Sequence, residues 1–162
     1  MARNAAKRPQ AAAERGRPLQ AAELESAVGL WLRLAQQKDL RLFNQAFAED
    51  GISQLLYAIL LVVEANPGCR QADLGALLRI RQPNLVEPID SLISRGLVAR
   101  APDPRDRRAQ TLSLTAEGEV LLARLRTRHD ALIDGYRARL GPENYARLVE
   151  LLRLFTTRDA AS

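Results

Sequence analysis

Apolar residues recur at helical spacing along most of the chain. From about residue 21 to residue 49, two apolar stripes follow one another, which predicts a long helix buried on more than one side. Ser53 is placed to cap a second helix that ends before Pro67. After Thr115 a long helix extends to Gly141, and a last helix follows it. The pattern therefore predicts a mainly α-helical fold.

The middle of the chain, residues 69–115, has a different pattern. A short helix over Asp73–Leu78 is followed by a tight turn and by a second helix that opens near Pro83, here called the reading helix. Alternating apolar and polar residues in Val98–Ala101 and Thr111–Leu114 then predict a β-hairpin. This order predicts a winged helix-turn-helix, in which the reading helix lies along a DNA major groove and the hairpin, or wing, contacts the flanking DNA.

The reading helix has two possible starts. Pro83 fits the first helical position, directly after Gln82. Alternatively, Asn84 is the N-cap and Glu87 is its capping-box partner. We favour Asn84, because the missing N–H of Pro88 then falls in the first turn of the helix.

Several side chains of this segment are candidates for contact with DNA. Asn and Gln pair with adenine edges, and a carboxylate accepts a hydrogen bond from cytosine N4. For Asn84 and Glu87, capping and base contact compete for the same atoms, so both roles stay open. The predicted base contacts are Gln82, Asn84, Glu87 and Ser91. The predicted phosphate contacts, which set affinity rather than sequence preference, are Arg70, Arg79, Arg81 and Arg95.

The charge distribution supports a polyanion-binding face. The chain carries a formal charge of +5. Residues 69–115 hold eight arginines against five carboxylates, and residues 1–18 hold five basic residues against one acidic residue. Residues 1–18 have almost nothing to bury, so we expect a disordered basic tail. Positive charge is thus concentrated in the predicted DNA-binding segment and in the tail.

The remaining composition excludes other classes of protein. There is one cysteine and one histidine. Metal-ligand clusters, a glycine-rich phosphate loop and a nucleophile elbow are all missing from the sequence, so we expect neither an enzyme nor a cofactor. No signal peptide or long apolar run is visible, and we expect a cytoplasmic protein that is not bound to a membrane.

Four motifs give the chain a family resemblance. They lie in residues 74–78, in residues 89–98, in the wing sequence of residues 103–108 and in the Leu-Thr-x-x-Gly run of residues 114–118. With them, residues 19–162 resemble the MarR family of bacterial transcriptional regulators. The resemblance implies a single domain that forms a triangular homodimer through helices in residues 21–50 and 116–158. Each subunit would present its winged helix to half of a palindromic operator in double-stranded DNA and would usually repress transcription.

The resemblance also assigns roles in the wing. Arg108 corresponds to the arginine that enters the minor groove, and Asp106 supports it. Arg105 and Arg107 correspond to contacts with the nearby backbone. In a protein without this fold, residues 103–108 would be interpreted as an ordinary group of charged residues exposed to solvent.

Two features depart from the family pattern. Glu87 and Pro88 replace residues that are commonly polar or basic in the reading helix, so base preferences are not transferred. Cys69 lies just before the helix-turn-helix, whereas thiol-sensing members use a cysteine in the first helix. We therefore do not expect oxidation sensing.

The family implies a small-molecule effector, often an aromatic acid or its thioester, in a cleft between the dimer helices and the DNA-binding lobe. Trp31 also fits a plain core position, and His129 also fits a residue without a role in the site. The candidate ligand residues are Trp31, Arg41, Tyr57 and His129.

Two alternatives remain at the level of sequence. The terminal helices either pack against a second copy, which we favour, or cover the core of a monomer. A winged-helix module that binds proteins instead of DNA is favoured by Glu87 and by the low charge of the body. The arginine-rich wing argues against it, because the cores of protein interfaces are depleted of charge.

Overall fold

The computed structural model of the chain describes residues 26–104 and 109–157. The chain divides into two compact units, residues 1–36 and residues 37–162. In the described part of the first unit, a turn at Ser26 precedes the start of helix α1, which as a whole spans Val28–Phe47. The basic tail and the predicted helix start near residue 21 lie outside the described residues.

The second unit begins within α1 and contains the remaining elements. In chain order they are a 3-10 turn (Ala48–Asp50), α2 (Gln54–Ala65), β1 (Cys69–Arg70), α3 (Gln71–Leu78), α4 (Pro83–Ser94), β2 (Val98–Pro102), β3 (Gln110–Leu114), α5 (Ala116–Leu140) and α6 (Pro142–Thr156). The fold is mainly helical with one small sheet, as predicted.

Local chemistry sets the ends of several helices. The Ser53 hydroxyl accepts a hydrogen bond from the Leu56 N–H at 3.3 Å, and the Thr115 hydroxyl accepts one from the Gly118 N–H at 3.0 Å. Each satisfies a donor that the first turn of a helix leaves without a partner. Gly141, with φ 81°, separates α5 from α6. The predicted cap at Ser53, the predicted helix start after Thr115 and the break at Gly141 are confirmed.

Helix α2 is the centre of the core. Its apolar face is fully buried at Ile59, Leu60 and Val63. It packs against α3, α4, α5 and β3, so the helix-turn-helix and the first part of α5 share one hydrophobic core. Contact of the buried face of α4 with this core fixes the position of the helix.

The predicted hairpin is confirmed, and the sheet has one strand more than expected. Strands β2 and β3 are antiparallel, with Val98 opposite Leu114 and Pro102 opposite Gln110. The two-residue strand β1 pairs with the other edge of β3, which gives the order β1-β3-β2. Two residues are too short to show an alternating pattern, so β1 could not be recognised from the sequence.

The favoured start of the reading helix is wrong. Helix α4 begins at Pro83, with Gln82 before it and no side-chain cap. The Asn84 N–H instead donates to the Arg81 carbonyl at 2.9 Å. Pro83 is preorganised for this position by its fixed φ. Pro88 therefore lies in the second turn, where its ring removes the usual donor to the Asn84 carbonyl.

Among the described residues, no single helix is long and apolar enough to cross a membrane. In the same ranges, the bent pair Val28–Asp50 and Gln54–Ala65 reaches the required length and apolar composition only when its two segments are combined. Within the same ranges, no three His, Cys, Asp or Glu side chains are grouped so that they could hold a metal ion.

Candidate nucleic-acid interface

The turn between α3 and α4 is tightly built. Arg79 ends α3 in the left-handed conformation with φ 55°, and the Ile80 N–H donates to the Gly75 carbonyl at 2.9 Å. A Cβ on Gly75 would lie 3.0 Å from the Ile80 carbonyl oxygen and 3.3 Å from a methyl group of Leu85. A glycine at position 75 therefore lets α4 approach α3 closely.

Helix α4 has one buried face and one exposed face. Leu85, Ile89 and Leu92 are completely buried against the core. The opposite face carries side chains that solvent reaches: Asn84, Val86, Glu87, Asp90 and Ser94. A helix held by its apolar stripe with the other face open is the arrangement that a major groove accepts.

The start of α5 is docked on the chain that leaves α4. The Thr115 hydroxyl donates to the Gly96 carbonyl at 2.6 Å, and the Thr115 N–H donates to the Leu97 carbonyl at 3.2 Å. A Cβ on Gly118 would lie only 2.1 Å from that Leu97 oxygen. The Leu-Thr-x-x-Gly motif thus packs the first turn of α5 directly on the backbone that follows α4. This contact holds α4 and the wing in a fixed position relative to each other.

The base of the wing is held by an ion pair between the buried carboxylate of Asp103 and the partly exposed guanidinium of Arg70. The Asp103 carboxylate is 7% exposed and lies 2.7 Å from Arg70 Nε and 2.6 Å from Arg70 Nη2. The Asp103 N–H also donates to the Ala109 carbonyl at 3.0 Å. Arg70 of β1 therefore ties the outgoing strand of the hairpin to the sheet, a role that the sequence did not reveal.

The other predicted phosphate contacts differ in their surroundings. Arg79 Nη1 donates to the Thr156 carbonyl at the end of α6, at 2.6 Å. The Arg95 guanidinium donates to the Asp50 carbonyl at 2.6 Å and to the Gly51 carbonyl at 3.0 Å. Arg81 is exposed and has no side-chain hydrogen bond or ion pair to another described residue. Of the four arginines, Arg81 is the one best placed to meet a phosphate.

The predicted base contacts lie along the open side of α4. Gln82 is exposed, and its carbonyl accepts a hydrogen bond from Gln71 Nε2 at 3.3 Å. Asn84 and Glu87 are exposed, whereas Ser91 is half-buried. The structure thus brings Gln82, Asn84 and Glu87 to one surface. The predicted wing-tip residues Arg105, Asp106, Arg107 and Arg108 lie outside the described residues.

Three exposed residues near this surface were missed by sequence reasoning. Val86 is 47% exposed on the outer side of α4. Asp90, one turn further on, pairs with Arg100 of β2 at 2.9 Å and links the reading helix to the wing. The helical spacing of Val86 relative to the buried Leu85 and Ile89 was the available signal for its exposure. The cross-element pair had no such signal.

Within the second unit, the candidate ligand residues lie at two places, with Tyr57 beside His129 and Arg41 elsewhere. Tyr57 is 6% exposed and packs against Phe43 and Phe47, with its ring centroid 5.1 Å from that of His129. Arg41 is exposed and lines a shallow groove of about 510 Å³ on α1, which neither Tyr57 nor His129 lines. Trp31 belongs to the first unit and is 55% exposed.

A larger open groove of about 580 Å³ lies between the 3-10 turn and the start of α5. It contains none of the four candidate ligand residues. Its lining residues are Glu49, Asp50, Arg95, Leu97, Ala116, Glu117, Val120, Leu121 and Arg124.

The buried Tyr57 hydroxyl and the half-buried Cys69 thiol both have raised pKa values. Burial raises the pKa of the Tyr57 hydroxyl, with the charges of Asp130 and Glu64 adding to the effect and Arg126 opposing it. Burial, followed by the Asp73 charge, raises the pKa of the Cys69 thiol. A thiol that stays protonated is a poor nucleophile.

A helix-turn-helix with an open reading face, pinned to a β-hairpin, defines a winged-helix DNA-binding protein. A family model described as the MarR family matches residues 50–109. The chain belongs to this family of transcriptional regulators. Its relatives are regulators rather than enzymes, as expected from the sequence.

Individual relatives cover most of the chain. The transcriptional regulator HosA of Escherichia coli O111:H- is 32% identical over 97 residues, which are 60% of this chain and 72% of HosA. A protein of Thauera aromatica, described as a transcriptional regulatory protein for the hcr operon, is 29% identical over 134 residues, or 82% of this chain and 81% of that protein.

The fold is also similar to that of the transcriptional repressor CouR. CouR bound to a 23-mer DNA duplex matches with a TM-score of 0.81 and 32% identity, covering 87% of this chain and all of that one. CouR bound to p-coumaroyl-CoA matches with a TM-score of 0.79 and 29% identity, covering 87% of this chain and 99% of that one.

Proposed function

We propose that this regulator is a homodimeric repressor that releases a palindromic operator when a small aromatic acid or aromatic acyl-CoA binds. The observation that carries the proposal is the outer face of α4, which is exposed along its length and joined to the wing through Asp90 and Arg100. Such a face presents side chains to base edges, while arginines around it meet phosphates.

The apolar surface of α6 supports the dimer. Leu148, Leu151, Leu152, Leu154 and Phe155 are between 38% and 68% exposed, and no residue of α6 is buried. A continuous apolar stripe of this kind on a soluble regulator needs a partner surface. A second copy, with the same stripe, satisfies it by two-fold symmetry.

The operator is tested by selection from a random duplex library with the purified full-length chain. A dimer with two reading helices predicts a two-fold symmetric site with half-sites about 10 base pairs apart, centre to centre. The affinity for that site should fall steeply with salt, by about 0.9 log unit per log unit of salt for each phosphate contacted. Failure to enrich any symmetric site would refute a sequence-specific dimer.

The wing assignment is tested at Arg108. Replacing Arg108 with alanine should lower the affinity for the selected site by a factor corresponding to about 1–3 kcal/mol. Arg139→Ala, which removes the same charge near the far end of α5, is the matched control and should change the affinity much less. Equal effects of the two variants would show that Arg108 contributes only net charge.

The dimer is tested at Phe155, which is 68% exposed in the single chain. In a monomer, Phe155→Glu would be tolerated because the side chain already faces water. In a dimer it places a carboxylate in an apolar interface and should dissociate the protein, as measured by sedimentation velocity. Arg153→Ala, on the same helix, lowers the charge by the same one unit and controls for the change in charge. A wild-type monomer at micromolar concentration would refute the proposal.

The effector is tested with p-coumaroyl-CoA and with free p-coumarate, because CouR was solved with the thioester. A ligand that prefers the folded protein raises its melting temperature, and an inducer also releases the operator. Tyr57→Phe removes one hydroxyl and keeps the ring that packs on Phe43 and Phe47. If Tyr57 lines the site, this variant should weaken the thermal shift without changing DNA affinity.

A further inference from the structure

The exposed face of α4 carries two carboxylates and no cation, which is unusual for a surface that meets DNA. The twelve residues of Pro83–Ser94 include no Lys, Arg or His. Its charged residues are Glu87 and Asp90, and its exposed apolar residue of appreciable size is Val86, at 47% exposure. The centre of the reading surface therefore offers hydrogen-bond acceptors and a branched methyl surface, with no cationic donor.

The true start of the helix decides what Glu87 can do. With the helix beginning at Pro83, Glu87 lies in the second turn, and no side-chain cap is made at Gln82. The capping box that would have occupied the Glu87 carboxylate is therefore not formed. Glu87 is exposed and makes no hydrogen bond or ion pair with any residue in the described ranges.

The second carboxylate of α4 is already engaged. Asp90 Oδ1 lies 2.9 Å from Arg100 Nη2 on strand β2. This pair neutralises Asp90 and fixes the distance between the helix and the wing. Glu87 is left as the unengaged carboxylate near the middle of the outer face, and Val86 is exposed at the side of that face.

We propose that Glu87 reads a cytosine and that Val86 reads the methyl group of a thymine in each half-site. This inference rests on the proposed function, in which α4 lies in the major groove. In that groove guanine presents two acceptors, thymine presents an acceptor and a methyl group, and adenine presents an acceptor beside its amino donor. Cytosine presents only the N4 amino donor. A carboxylate in the groove is repelled by the phosphates on both sides. It is stabilised most by the cytosine edge, because the N4 amino group donates a hydrogen bond to it.

Glu87→Gln separates base reading from simple repulsion. Selection from the random duplex library with wild type should give a two-fold site with a cytosine at the same position in each half. With Glu87→Gln, the symmetry and spacing should stay, and that position should change to adenine, because an amide pairs with adenine N6 and N7. For the cytosine and adenine versions of the site, the ratio of affinities should change by about 5- to 150-fold, the range of a direct base contact.

Asp90→Asn is the matched control, since it makes the same carboxylate-to-amide change on the same helix. It should alter the affinity for all sites alike, through the release of Arg100, and leave base preference unchanged. If Glu87→Gln instead strengthens binding to every sequence equally, Glu87 only repels phosphates and the inference is overturned. If wild type selects no site, the proposed function itself fails.

The thymine contact is tested by removing methyl groups either from the DNA or from the Val86 side chain. Each thymine of the selected half-site is replaced in turn by deoxyuridine, which lacks only that group. At one position wild type should lose about 4-fold in affinity, the value of one buried methyl group. Val86→Ala should show no such loss there. A loss of equal size in both proteins, or no sensitive position in wild type, would overturn the assignment of Val86.

Discussion

Replacing Gly118 with alanine tests the docking of α5 on the helix-turn-helix. The new Cβ would lie 2.1 Å from the Leu97 carbonyl oxygen and 3.0 Å from the carbonyl carbon. Ordinary contact requires a separation larger by roughly 1 Å, and backbone, unlike the end of a flexible side chain, moves only with its whole element. The first turn of α5 must therefore move away from Leu97.

The cost follows from the contacts that this movement disturbs. Overpacking of a well-packed site costs typically about 1–3 kcal/mol. The displacement also strains the two hydrogen bonds from Thr115 to Gly96 and Leu97, each worth about 1 kcal/mol. Alanine returns at most about 1 kcal/mol through its higher helix propensity. We expect a net loss of about 2–3 kcal/mol in the free energy of unfolding.

The assay is urea denaturation followed by circular dichroism at one fixed protein concentration. Gly135→Ala is the control on the same helix, because a Cβ at Gly135 meets nothing within 4 Å. It should stabilise the protein by about 0.5–1 kcal/mol. Gly75→Ala, with contacts at 3.0 and 3.3 Å, should fall between the two. The reasoning is refuted if Gly118→Ala is as stable as Gly135→Ala.

Three other predictions concern the charged groups and the thiol. Asp103→Ala and Arg70→Ala should each destabilise the protein by about 2–3 kcal/mol, and the double variant should cost much less than their sum in a double-mutant cycle; additive losses would show that the pair is not coupled. Arg81→Ala should reduce the slope of log affinity against log salt concentration by the amount expected for about one phosphate contact, and it should leave the melting temperature unchanged. Arg95→Ala should instead lower the melting temperature, because its hydrogen bonds to backbone carbonyls are lost. The reverse pattern would show that the two arginines have the opposite roles. Because the pKa of Cys69 is raised, its reaction with an aromatic disulfide at about pH 8 should be slower than that of free glutathione and should accelerate as the pH rises; a faster reaction would contradict the raised pKa.

Much of the architecture could be predicted because its signals are local. The caps at Ser53 and Thr115 and the break at Gly141 are each set by residues within a few positions of one another. The two strands of the wing were predicted from the alternation of apolar and polar residues in each. The start of α4 was misjudged for a local reason too. The sequence offers two acceptable starts, and the preference of Pro83 for the first helical position outweighs the cost of Pro88 in the second turn.

The fate of the arginines could not be predicted in this way. Arg70, Arg79 and Arg95 look alike in a sequence, as basic residues near a helix-turn-helix. In the folded chain they bind partners that lie 33, 77 and up to 45 residues away. Only the packing of α6, the wing and the 3-10 turn around the core brings these partners within reach.

The sequence by itself determined the helices and the hairpin of this protein and the class of surface that they make, because helix periodicity, turn residues and strand alternation act over a few residues. The tertiary structure decided which of the polar side chains on that surface are already engaged and which are open to DNA. Hydrogen bonds and ion pairs act over about 3 Å, and the separation of two distant residues at that scale is fixed only when the core has packed. The exposed pair Val86 and Glu87 is the clearest case, since its availability depends on where α4 starts and on the partner that Asp90 finds.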